Sequence, residues 1–499
     1  MSSSNLVRLA YKKEASYGVK QNAVAASLVV QDLTYTALLG GEDGNNITIT
    51  YTTGATAGAE VVTVTGNAIS VQIQSGTSTA TQIRTAVLAS AAAMALLASV
   101  TVSGVGSNTQ ISAASAPLAG GLYAWKTARF TSEKYSGTPT TVESAQIRTD
   151  RMSSGQVVTG LQVDGGHNFE LAKESALEDF MESAMYNPWD QSMTQITRAI
   201  TLSTAGVAVD TATAVTGSFV NDGLKVGDVV VLSGFTATGN NVPVQVTTVS
   251  ALSFTFIGPA GMVNGTGGTT KYWRAHVLRI GTTKKSLSIE KTFLDLTTKA
   301  IQYRGVIASQ MDLDIQYGSL ITGAFSTQGN FYGTQTSESS FMSHGEYIDA
   351  PASTQTMNGS VDMPFLMSNE TGAFLNASFA IQSLKIQLNN NLKAMTQIGQ
   401  VAPQDYSPGT AQIKVDMSTY LKDSNWALLA RKLTQAPFSL GFMVQNVDGW
   451  YGIFMPAVQV SFADPASAGA NQIISLAMSG TAKVGANGES ALSIFRLPS

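Results

Sequence analysis

A pattern of strand, short helix and paired strands occurs twice in this chain, and it constrains the fold to a β-rich unit in tandem. The first copy runs from a strand at Gly166–Ala172 through a helical stretch at Lys173–Met185 to strands at Met311–Ile315 and Leu320–Gly329. The second runs from Thr410–Met417 through a helical stretch at Ser418–Leu433 to Val458–Phe462 and Gln472–Thr481. Such a repeat, with no catalytic constellation around it, reads as a building block rather than an enzyme.

At 499 residues the chain is too long for one ordinary domain. Only 12% of residues are charged and the net charge is -4, so a basic grip on nucleic acid is not expected. Apolar residues make up 44%, enough to build a core throughout. The absence of cysteine excludes disulfides, thiolate metal sites and cysteine nucleophiles. The opening Met1–Leu9 lacks the basic head and apolar run of a signal peptide. No stretch reaches the roughly 18 apolar residues of a membrane span. Synthesis in the cytoplasm, without membrane insertion, is the expectation.

Residues 1–23 read as an extended arm. From Val24 the texture changes to short strands at Leu33–Leu39, Ile47–Tyr51, Val61–Val64 and Ile69–Ile73, split by glycines. A helix is expected over Thr81–Leu97, with Ile83, Val87, Leu88, Met94 and Leu97 on one face, then a strand at Val100–Ser103. Residues 24–122 thus form an inserted α+β module, because the texture of residues 8–18 resumes at Lys126–Lys134. A second insertion, 200–270, reads as small and all-β, with strands at Val226–Leu232, Val242–Val249 and Ser253–Ile257 and a turn at Gly234. Gly261–Gly268 lacks the Lys-Ser/Thr ending of a phosphate loop and reads as a turn. Lys285–Lys291 and Ile301–Ile307 alternate with period two, which predicts one buried and one wet face. Residues 330–360 read as a linker or exposed loop. Phe379–Leu388 and Thr410–Met417 alternate around a turn at Asn389–Asn391. In the second copy Ser418 or Thr419 would cap the helix, Asp423 would suit its positive end, and Leu421, Leu428, Leu429 and Leu433 would form its apolar stripe. Leu177, Phe180, Met181 and Met185 do this in the first copy.

Three stretches carry a resemblance: Leu9–Val19; Arg129–Glu133 followed by Glu143–Arg151 and Gly160–Leu171; and Lys285–Lys291 with Tyr303–Val306, joined later by Gln382–Leu392. Together they resemble the major tail tube proteins of long-tailed, siphovirus-like bacteriophages, over about two thirds of the chain outside the insertions. The resemblance implies a mainly β fold of two fused tail-tube β-sandwich units, each with a flanking helix, plus an α+β insertion and a small all-β insertion. Residues 1–23, 123–199 and 271–345 would form the first unit and 346–499 the second, with 24–122 and 200–270 as surface modules. It implies a virion protein, assembled in the host cytoplasm, whose stacked rings form the tube through which DNA passes at infection. Sixfold character of such rings, with two units per chain, predicts a homotrimeric, pseudo-hexameric ring. The implied partners are further copies of the chain, the tape-measure protein and DNA in the lumen, the tail terminator and the distal tail protein, with host-surface glycans at the insertions. A mildly acidic chain suits a lumen that must not hold a polyanion. Two bulky insertions leave little room for a sheath, which favours a non-contractile tail.

No catalytic, cofactor or metal residues are expected. His167, His276 and His344 are scattered and read as core or surface residues. Glu174, Glu178, Asp179 and Glu182 form an acidic patch that could serve glycoside hydrolysis, but reads as a solvated helix face or an inter-subunit ion-pair surface. Arg148, Asp150 and Arg151 read as ion-pair partners, and Trp426 and Trp450 as core or interface anchors. The competing classes are a secreted adhesin or surface-layer protein and a carbohydrate-active enzyme.

Overall fold

Period-two alternation carries most of the chain into antiparallel strands, and the fold is mainly β. The structure, a computed structural model, describes all residues except 1–5, 20–22, 147–148, 151, 153–154, 191–194, 205–209, 258–261, 268–269, 297–298, 335–346, 349, 351–354, 363–364, 370–374, 377–380, 423–425, 463, 466–472, 487 and 497–499.

The main elements of the body outside the two insertions, shorter strands aside and numbered along it, are β1 (Val7–Lys13), β2 (Ser136–Glu143), β3 (Gln156–Glu170), α1 (Ser175–Met185), β4 (Leu287–Phe293), β5 (Lys299–Gln316), β6 (Thr322–Gly329), β7 (Ile381–Asn389), β8 (Lys393–Met395), β9 (Asp405–Ser407), β10 (Gln412–Tyr420), α2 (Ala427–Thr434), β11 (Phe438–Asn446), β12 (Gly449–Ser461), β13 (Ser475–Lys483) and β14 (Ser493–Arg496). The first half pairs in the order β2-β3-β6-β5-β4 and the second in the order β7-β10-β13-β12-β11, all antiparallel. The match extends to register. Val163–Glu170 faces Gly329–Thr322 in one half, and Ile413–Tyr420 faces Ala482–Ser475 in the other. Both helices end on a left-handed residue, Tyr186 at φ 52° and Gln435 at φ 53°. The repeat read from the sequence is therefore a repeat of topology, strand for strand. β5 joins the halves by pairing Gln310–Gln316 with Asn389–Ser383 of β7, and one hydrophobic cluster runs through both.

Several expectations are corrected. Val7–Lys13 is not a free arm but a strand zipped to β4, because Leu9 and Tyr11 are buried in the body core. β4 and the first half of β5 are not wet on one face: Ser288, Glu290 and Gln302 are buried as well as Leu287 and Ile289. Their polar side chains are partnered, with Ser288 Oγ donating to Glu14 at 2.7 Å and Gln302 Nε2 to Glu290 at 2.8 Å. Within the supposed linker, Phe331–Thr334 is a strand on β5 and Tyr347–Ile348 pairs with Trp125–Lys126. The second helix begins at Ala427, and Ser418 and Thr419 extend β10, since Thr419 continues the buried row of Ile413, Val415 and Met417. Leu421 precedes the helix, Leu429 packs on the core, and Leu433 is exposed. Asp423 lies outside the described residues, as does the side chain of Leu428.

Residues 24–122 and 200–270 each contain a hydrophobic cluster of their own, around Tyr35, Tyr51 and Ile83 in one and Phe219, Phe254 and Phe256 in the other. The helix expected over Thr81–Leu97 is two: Ala80–Ala89, opened by a Thr79–Gln82 capping box, and Ala91–Met94. Ser90, in an extended conformation, separates them, Leu88 faces solvent, and Leu97 starts the strand Leu97–Val102. In the second segment the strand expected at Val226 starts at Val229, since Gly227 takes a φ of 84°. Gly265–Gly267, expected as turn, is a short strand on Ile200–Leu202.

Candidate functional site

Eight strands of the body, in the order β2-β3-β6-β5-β7-β10-β13-β12, form one continuous antiparallel sheet. Its inward face is the core, with Phe325, Met311, Leu313, Ile386, Val415 and Met478. Cross-strand register fixes the opposite face. Gln328 lies beside Asp164, and Gln310 joins Ser326 to Asn389. Asp314 faces Lys385, Lys385 faces Asp416, and Asp416 faces Ser479. That face is dominated by hydroxyl, amide and charged side chains, with Ala324 and Ala477 among them. Its carboxylates are Asp164, Glu170, Asp312, Asp314 and Asp416, against Lys385, Lys414 and Lys483, so it is weakly acidic: five minus three leaves a net of two negative charges. The signal was present in the sequence as the polar half of each alternation; what sequence alone lacked was the register that lines these halves up.

The sheet has two unlike ends. Among the described residues β2 has one ladder partner, β3, and its side chains are mostly exposed. At the other end, among the described residues, Gln459–Ser461 of β12 pairs with β13 alone, and the outer side of this edge is met by the side chain of Gln435, whose Nε2 donates to Val460 O at 3.4 Å. Unpaired edges of this kind invite another strand.

The acidic patch of α1 is neither solvated nor on an outer surface. Glu174, Glu178, Asp179 and Glu182 are all buried, against the expectation of an exposed helix face. Asp179 accepts from Tyr11 Oη at 2.8 Å and pairs with Lys13 at 2.6 Å and Lys126 at 3.3 Å. Glu182 pairs with Lys13 at 2.9 Å and accepts from the Trp189 backbone N–H at 3.0 Å. Glu178 meets Lys173 and Arg496 and accepts from Tyr451 Oη at 3.1 Å. Carboxylates so fully paired tie α1 to the first strand and to β12 and β14 of the second half. Burial, and then the Asp179 charge, push the Tyr11 hydroxyl well above its ordinary value, so it stays a donor.

Glu174 is the least well served, with Arg129 at 3.9 Å. Burial pushes its carboxyl up from 4.5 to about 7, against the pull of Arg129. Because the folded value lies above the unfolded one, the unfolded chain gives up this proton first as pH rises. Stability present below pH 4.5 is therefore lost as pH rises to about 7. Glu174→Gln is expected to remove that loss, on the order of 3 kcal/mol, seen as a flatter pH dependence of the urea midpoint.

His167 is buried, with Nδ1 2.8 Å from Tyr135 Oη, and burial lowers it to about 4, so it is a neutral core residue. His276 sits on the strand His276–Arg279, and His344, Arg148 and Arg151 lie outside the described residues. Among the described residues no cluster of His, Asp and Glu could hold a metal ion, and no helix is long and apolar enough to cross a membrane. Trp450 is a core residue, whereas Trp426 is exposed.

Compared with known proteins, the chain matches the family model described as "Phage tail tube protein" over residues 4–487. No curated protein matches it.

Proposed function

Because the chain belongs to the phage tail tube protein family, we propose that three molecules close one ring of a tail tube, each supplying two of the ring's six units. The protein is a structural component of the phage tail and self-assembles into a tube. The observation that carries the finer reading is the joint inside the chain. There β5 of the first half pairs with β7 of the second. Topologically, β12 is the second half's β5 and β2 is the first half's β7. The two open ends of the sheet are therefore the two sides of that joint, one copy short. Setting β2 of one chain against the end of β12 of the next repeats the joint and closes a barrel without free edges.

In such a ring the polar face lines the channel. Its slight excess of carboxylates repels phosphate, so passing DNA meets no basic surface on which to stall. The same channel would hold the tape-measure protein before ejection, and its ends would meet the tail terminator and the distal tail protein. Residues 1–23, 123–199 and 271–345 form one unit and 346–499 the other. The segments 24–122 and 200–270 point away from the channel, where weak binding of host-surface glycans is open to them. The role is structural rather than catalytic, with assembly in the host cytoplasm.

Native mass measurement of isolated rings is expected to give three chains, and averaged tube images true threefold symmetry outside with near-sixfold symmetry at the wall; six chains per ring would overturn the stoichiometry. Deleting residues 24–122 is expected to leave tube formation intact, because that segment has its own core; loss of tubes would assign it to assembly instead.

A further inference from the structure

The joint inside the chain is closed by hydrogen bonds that depend on one extra residue. In β5 a bulge at Ser309 separates Ala308, which faces Thr327 of β6, from Gln310, which faces Ser326. Gln310 also faces Asn389 of β7. The next residue along, Asn390, is buried, and its backbone N–H donates to Ser309 O at 2.9 Å. Its Nδ2 donates to Ala308 O at 3.1 Å and to Ala184 O of α1 at 2.8 Å.

The matched registers carry these positions to the two open edges. Val163 faces Gly329 as Ile413 faces Ala482, so Ser326 corresponds to Ser479 and Thr327 to Gly480. Ser479 faces Ser461 and Gly480 faces Val460, in consecutive pairs without a bulge. Ser461 therefore stands where Gln310 stands and Val460 where Ala308 stands, and Ser309 has no counterpart. On β2, Gly137 faces Val163 as Leu388 faces Ile413, so Thr138 stands where Asn389 stands and Pro139 where Asn390 stands. Donor and acceptor are lost together: Pro139 has no N–H to give, and β12 has no extra carbonyl to receive one. Val460 O is served from within its own half, by Gln435 Nε2 at 3.4 Å.

Two edges at opposite ends of one sheet have each lost the half of a bond that the other would need. Resting on the ring reading, we propose that Thr138 of one chain stands opposite Ser461 of a second copy of the chain, with Pro139 passing over Val460. In that register Pro139 brings no N–H to a place that lacks an acceptor. The same features keep the two joints apart. On β5, Pro139 would deprive Ser309 O and Ala308 O of the donors that Asn390 supplies. On β12, the Asn390 N–H would meet no counterpart of Ser309 O. β2 is thus matched to β12 of another copy and not to β5, which guards the internal joint against exchange between chains.

The chain has no cysteine, so an engineered pair reports without background. Thr138 and Ser461 are both exposed, on edges at opposite ends of the sheet, so a bond between them joins two molecules. Oxidised tubes of the Thr138→Cys, Ser461→Cys double variant are expected to give disulfide-linked oligomers ending at three chains. Thr140→Cys with Ser461→Cys, two residues out of register, is expected to stay unlinked. Tubes of the first variant that stay unlinked, or linkage of the shifted pair instead, overturn the register and leave the ring reading standing; failure of the unaltered chain to form tubes overturns the ring reading itself. A second pair of variants reads the register without cysteine. Thr138→Asp with Ser461→Asp sets like charges face to face at each joint and is expected to raise the concentration needed for assembly about tenfold, and Thr138→Asp with Ser461→Lys to restore it. Equal assembly of these two variants would overturn the proposal.

Discussion

Glu178→Ala is expected to destabilise the folded chain by on the order of 3–5 kcal/mol, because it strands two cations rather than removing one contact. Glu178 is the shared anion for Lys173 and Arg496 and the acceptor for Tyr451 Oη. Lys173 keeps only 12% of its side chain exposed and Arg496 14%, so neither recovers its hydration when the carboxylate goes. Burial, and then the Glu178 charge, hold the Tyr451 hydroxyl well above its ordinary value, and without the carboxylate that donor is left buried with a poorer partner. Glu178→Gln, which keeps an acceptor for Tyr451, should fall between the two. Urea unfolding followed by tryptophan fluorescence reads the difference. A loss below about 1 kcal/mol would mean the cluster behaves like a surface ion pair.

Gly166→Val is expected to prevent correct folding altogether. A Cβ at this position would stand 2.0 Å from the carbonyl oxygen of Phe325, on the neighbouring strand, and the backbone φ of 156° is one that side-chain-bearing residues rarely adopt. No flexible side chain can yield there, since the obstacle is main chain. The loss should exceed about 4 kcal/mol and appear as insoluble or protease-sensitive protein. The matching position in the second half is Asp416, which faces Ser479 in an ordinary register. Asp416→Val is therefore expected to fold, so the pair of variants separates backbone crowding from the mere gain of a valine.

Much of this fold was legible because alternation and turn residues survive translation into strands with little interference. Thr410–Met417 reads as a strand, and β10 takes it up from Gln412 onward. The α1 helix reads correctly because Leu177, Phe180, Met181 and Met185 define its apolar side. What resisted reading was tertiary. Nothing local distinguishes Ser418 as a helix cap from Ser418 as a strand residue; the strand wins because Thr419 completes a buried row. Glu290 and Ser288 look like a wet face, but Glu14 covers Ser288, and Thr292 and Gln302 meet the buried Glu290. The acid residues of α1 look like a solvated face for the same reason: their partners Lys13, Lys126 and Arg496 come from distant parts of the chain. The candidate site was harder still. Its polar face and open edges exist only once strands far apart in sequence are set in register.

The joint between β5 and β7 also bears on how errors are excluded. It is made inside one molecule, so in the proposed ring half the joints would form without the loss of translational freedom, about 4–15 kcal/mol, that each association between separate molecules carries. Units also arrive two at a time. A closed ring assembled from such pairs holds an even number of units, which rules out rings of five or seven before geometry has any say. In the proposed ring, parity would thus guard the bore of the tube, and the guard would be written into the covalent chain rather than into any contact between molecules.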